Sequence, residues 1–144
     1  MITKGYLVGQ AVGELGIAAY LFDLTPDEIN DCLNRLDAMM AGWSFSSAMG
    51  YIQPANPNTS VGTDNSGLTA DAAESVISNL AVRIASMWGK AIPPEKAAAA
   101  MHGYGRLYGK YKTKLQVARP VTQPTGAGNK PHQAGQNYFQ EEAG

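Results

Sequence analysis

Two kinds of residue in this chain could do chemistry: carboxylates placed for acid–base work and cations placed for phosphate. Glu14 closes the first apolar stripe and Asp23 lies in the turn that follows. Glycoside hydrolysis requires only a pair of carboxylates at a suitable separation. From Glu14 to Asp37 there are six acids, Glu14, Asp23, Asp27, Glu28, Asp31 and Asp37, against Arg35 alone. From Arg106 to Arg119 there are five bases, Arg106, Lys110, Lys112, Lys114 and Arg119, and no acid. A basic run can lie against phosphates, and Lys110, Lys112 and Lys114 are the candidates to face DNA. Complementary faces also suit head-to-tail contact between copies, although most charge runs are solvated helix surface.

Other reactive arrangements are missing. His102 and His132 have no cysteine or carboxylate neighbours at metal-ligand spacing. There is no G-x-S-x-G and no P-loop. Gly103-Tyr104-Gly105 lies inside a helical pattern, and Gly126-Ala127-Gly128-Asn129-Lys130 lacks the strand and helix that a phosphate loop needs. No cofactor and no metal are therefore expected. Cys32 is the sole cysteine; it can form no internal disulfide and reads as a small buried hydrophobe. A net charge of −1 gives no bulk attraction to nucleic acid or membrane. No apolar run reaches the ~20 residues of a membrane helix. The first apolar stretch, broken by Gln10 and Glu14, does not read as a signal peptide.

The elements that would position these residues are helical. Thr3 is a candidate N-cap for a first helix over about 4–15, with Leu7, Val8, Ala11, Val12 and Leu15 on one face. Gly5, Gly9 and Gly13 weaken it by up to ~1 kcal/mol each relative to Ala, so it needs tertiary partners. Thr25-Pro26-Asp27-Glu28 combines an N-cap, a proline at the first position and a capping-box glutamate. Ile29, Leu33, Leu36, Met40 and Trp43 then repeat at helical spacing, with Gly42 as terminator. Residues 43–67 form a long loop, within which Met49–Gln53 could be a strand or hairpin arm before Pro54 and Pro57. A loop of this length is a second candidate contact element. Thr69 caps a third helix over about 70–88, faced by Val76, Ile77, Leu80, Ile84 and Met87. Pro93-Pro94 opens a fourth, running to about Leu115.

On that fourth helix Ala97, Met101, Tyr104, Tyr108, Tyr111 and Leu115 share one face. Tyr104, Tyr108 and Tyr111 read either as packing within the bundle or as a subunit interface with hydroxyls at its edge. Residues 116–144 differ from everything before them. They hold Pro120, Pro124, Pro131, Gly126, Gly128 and Gly135, almost no aliphatic side chains, and an aromatic pair, Tyr138-Phe139. Such a segment cannot form a core. The expectation is all-α: a small four-helix bundle, residues 1–115, with a long inter-helix loop and an extended C-terminal arm, residues 116–144, that grips a neighbour.

Four segments carry a family resemblance. Thr3-Lys4-Gly5-Tyr6-Leu7-Val8 leads to Leu15-Gly16-Ile17-Ala18; Leu36-Asp37-Ala38-Met39-Met40-Ala41-Gly42-Trp43 follows. Asn65-Ser66-Gly67-Leu68 precedes Asn79-Leu80-Ala81-Val82-Arg83-Ile84-Ala85, and Pro124-Thr125-Gly126-Ala127-Gly128-Asn129 precedes the aromatic pair. In this order they resemble the tail accessory factors, or packaged-DNA stabilisation proteins, of short-tailed bacteriophages. The resemblance implies a head-to-tail adaptor, a small helical bundle that assembles as a twelve-fold ring of copies under the portal protein. It would close the DNA exit after packaging and offer a platform to downstream tail proteins, with loose contact to packaged DNA. It would reside at the head–tail junction of the virion, and in host cytoplasm during assembly. The expected interface residues are Tyr104, Tyr108, Tyr111, Pro124, Gly126, Gly128, Asn129, Tyr138 and Phe139. No catalytic residue carries over. The rival reading is a virion-associated cell-wall glycosidase using Glu14 and Asp23.

Overall fold

The computed structural model describes residues 1–16 and 24–112. Four helices follow in order, α1 (Lys4–Glu14), α2 (Pro26–Gly42), α3 (Ala70–Met87) and α4 (Pro94–Tyr111). All four begin where the sequence signals place them. Thr3 Oγ1 accepts from the Tyr6 amide at 3.2 Å. Thr25 forms the full capping box: the Glu28 amide donates to Thr25 Oγ1, and the Thr25 amide donates to Glu28 Oε2. These bonds hold the Glu28 carboxyl below its ordinary range. Thr69 has cap geometry without the cap bond; its hydroxyl donates instead to Asp71 Oδ1 at 2.5 Å. The expected reach of the fourth helix to Leu115 is not met. The helix ends at Tyr111, and Lys112 is extended.

Helix α3 is the centre, because α1, α2 and α4 all pack on it. Its Val76, Leu80 and Ile84 are buried against Leu7 and Val8 of α1 and Leu33, Leu36 and Met40 of α2 in one core. Along α4 only Ala100 and Leu107 are buried, and the helix packs closely along α3. Gly103 permits the close approach of α4 to α3. A Cβ there would lie 2.9 Å from the Ser75 side chain.

The long loop is built into the body. Trp43, Phe45, Met49 and Tyr51 are all buried. The expected strand at Met49–Gln53 does not form; tight turns occupy 44–50, and Tyr51 bonds back to the Ser46 carbonyl. Among the described residues the one β-type pairing is an isolated bridge between Thr3 and Asn65. Around it the loop meets the start of α1. The Lys4 amide donates to the Asp64 carbonyl and the Gly5 amide to the Gly62 carbonyl, both at 2.8 Å. The opening amides of a helix lack intrahelical partners, and here loop carbonyls supply them. Gly5 is required by this contact, because a Cβ would stand 2.7 Å from the Gly62 oxygen. Gly67, at φ +75°, turns the chain back past Gly50 in the left-handed region that glycine adopts without penalty.

A polar network fastens the same corner. Lys4 is only 2 % exposed, and its Nζ donates to Asp37 Oδ1 and to Ser60 Oγ, each at 2.8 Å. The Tyr51 hydroxyl donates to the same Asp37 oxygen at 2.6 Å, and the Lys4 ammonium lies 5.0 Å from the Tyr51 ring centre. Burial, then the bond to Asp37, pushes the Tyr51 phenol far above its ordinary value, so it remains a donor. Asp37 Oδ2 is buried without a partner among the described residues.

Candidate interaction surface

The tyrosines of α4 gather with the first loop residues into an aromatic cluster. Tyr104 meets Trp43 edge-on with ring centres 5.2 Å apart, and Tyr108 meets Phe45 edge-on at 5.8 Å. Trp43 and Phe45 stack at 5.4 Å. These are favourable aromatic geometries. Tyr104 and Tyr108 each remain 38 % exposed, so one edge packs and the other faces out. Tyr111 is half-buried against the core. Its spacing is therefore consistent with packing inside the body, while Tyr104 and Tyr108 combine packing with an outward aromatic edge. Of the residues that complete the cluster, Trp43 closes the apolar spacing of α2, whereas Phe45, inside the loop, has no helical periodicity and only its aromatic type as a signal.

The bases of α4 are largely engaged with its neighbour helix. Lys110 Nζ lies 2.6 Å from Asp71 Oδ2, with both side chains about half exposed. Arg106 Nη2 donates to the Asp71 carbonyl at 3.0 Å and to Ser75 Oγ at 2.9 Å. The bond from Lys110, then that from Thr69, pulls the Asp71 carboxyl down to about 2, and the bond to Asp71 raises Lys110. Lys112 Nζ lies 4.9 Å over the Tyr108 ring. The lysine expected to face DNA at position 110 thus clasps α4 to α3. Asp71, 39 positions from Lys110, carries no local sequence signal for that role.

A groove of about 640 Å³ opens between α1 and α3. Ile2, Tyr6, Ala73 and Ile77 give it apolar lining, and Glu14 and Glu74 give it two carboxylates. Among the described residues no lysine or arginine lines it. Glu74 also borders a second hollow, of about 310 Å³, shared by His102, Gly103 and Arg106. Glu14 therefore has a carboxylate neighbour in its groove that spacing alone could not name. Its backbone carbonyl accepts from Lys96 Nζ, which ties the start of α4 to the end of α1. Among the described residues no group of three histidine, cysteine or acidic side chains could hold a metal. No described helix is long and apolar enough to cross a membrane. Asp23, Lys114, Pro124, Gly126, Gly128, Asn129, His132, Tyr138 and Phe139 lie outside the described residues, as does the proposed division at 115/116.

All of residues 1–144 match the family model described as P22 tail accessory factor. The chain belongs to that family. A tail accessory factor is a phage structural component that works among other phage structural proteins and belongs with the virion.

Proposed function

We propose that this tail accessory factor is a non-enzymatic head-to-tail adaptor that binds the portal ring. In this role it closes the DNA exit after genome packaging and carries the next tail proteins. The observation that supports it most is the whole-chain family match. The body adds a consistent surface: exposed aromatic and apolar side chains beside bases that are satisfied within the chain. The body, residues 1–115, supplies the contacts between copies, and the arm, residues 116–144, clamps the portal. Tyr138 and Phe139 are its anchors, because buried aromatic side chains carry much of the energy of protein interfaces. Repetition of this contact around a ring strengthens it through multivalency.

Deleting Gln116–Gly144 tests the division of labour. Far-ultraviolet circular dichroism and thermal unfolding should show that the truncated body is still helical and folds cooperatively. Retention on immobilised portal rings should vanish. Full retention of the truncated form would remove the arm from the account.

A further inference from the structure

The groove between α1 and α3 exposes apolar surface on a small body. Tyr6 is 52 % exposed, with Ile2 and Ile77 beside it half-buried. Contiguous apolar openings of this kind mark contact sites. Because its charged lining is Glu14 and Glu74, the occupant must be apolar and must bring a cation. The outer side of α4 has that chemistry. Ala100 and Leu107 are buried along α4, Ala98, Met101 and Gly105 are exposed on its other side, and Lys112, just past its end, is exposed as well. Ala98, Met101 and Gly105, three and four apart, share one stripe, and Lys112 follows directly after the helix end. Met101, 75 % exposed between the small Ala98 and Gly105, stands out as a knob.

We propose that the α1–α3 groove of one copy receives α4 of a second copy, with Met101 beside Tyr6 and Lys112 beside Glu14. The lengths agree. From Tyr6 to Glu14 α1 rises about 12 Å, and from Met101 to Tyr111, its last residue, α4 rises about 15 Å. The charges are complementary across the contact, which favours this register over its reverse. Groove and stripe are different surfaces of the same chain. Their contact is therefore heterologous and propagates into a ring where the rotation closes. The inference rests on the adaptor reading and names which faces of neighbouring copies meet.

The variants Tyr6→Cys and Met101→Cys, each adding one cysteine to native Cys32, test it on the cognate portal ring under brief oxidation. Both positions are exposed, so the body tolerates the changes. Native Cys32 is fully buried, and burial, then Asp31, pushes its thiol up to about 11, which keeps it silent. Mixed copies should give disulfide-linked dimers, and either variant alone should give none. A full complement of mixed copies without that crosslink overturns the groove contact and leaves the adaptor reading standing. Self-crosslinking of one variant alone also overturns it. Should cysteine at these positions block assembly, Lys112→Glu combined with Glu14→Lys decides. Each alone should lower retained copies about tenfold at low salt, a change of ~1.4 kcal/mol, and the pair should restore them; absence of restoration overturns the contact. No retention of the unaltered protein would overturn this inference and the adaptor reading together.

Discussion

Lys4 Nζ lies 2.8 Å from Asp37 Oδ1, with the two side chains only 2 % and 11 % exposed. This pair joins the first residue of α1 to the fourth turn of α2, and Tyr51 and Ser60 bring the long loop into the same network. Removing one member of a buried ion pair strands the other charge, at a cost of about 3–5 kcal/mol. Lys4→Met should therefore destabilise the chain by about that amount in urea unfolding. The double variant Lys4→Met, Asp37→Leu should be less destabilised than the sum of the single changes, because neither charge is left alone. Strict additivity would show that the two residues are not coupled.

Gly5 and Gly13 should respond oppositely to alanine. Both lie in α1, where alanine gains up to about 1 kcal/mol of helix propensity. At Gly13 a new Cβ meets nothing within 4 Å, so Gly13→Ala should stabilise. At Gly5 it meets the Gly62 carbonyl oxygen at 2.7 Å, and that carbonyl is the acceptor of the Gly5 amide. Gly5→Ala should destabilise despite its better propensity. Thermal unfolding of the two variants checks this, and a stabilised Gly5→Ala would mean the loop does not press on α1.

Acid should loosen the clasp between α3 and α4. The folded Asp71 carboxyl, at about 2, lies below its ordinary 3.8. A group depressed on folding contributes fully above its unfolded value and loses that contribution as pH falls through its folded value. The difference in Tm between the wild type and Asp71→Asn should thus be present at about pH 5 and shrink toward about pH 2. Because the pair is exposed, the difference should also shrink with added salt. A constant difference across that window would remove Lys110 from its clasping role.

The four helices were legible because their signals are local. Thr3, Thr25 with Glu28, and the proline at position 94 mark starts, and three- and four-residue apolar spacing marks the buried faces. The end of α4 was missed by four residues, since Leu115 continues the apolar spacing while Lys112 is already extended. Pairings between distant segments left no trace. Asp37 sits in a run of acids and looks like surface charge; its burial depends on Lys4, 33 positions away. The order of the long loop likewise depends on carbonyls that find the amides of α1. Tyr104 and Tyr108 were legible as a seam, but their packing partners Trp43 and Phe45 were not.

Native mass spectrometry of the protein alone and mixed with its cognate portal ring tests the adaptor account most directly. The account predicts a monomer alone and a full ring of added copies on the portal, twelve by the family resemblance. A stable monomer that leaves the portal unoccupied would contradict it.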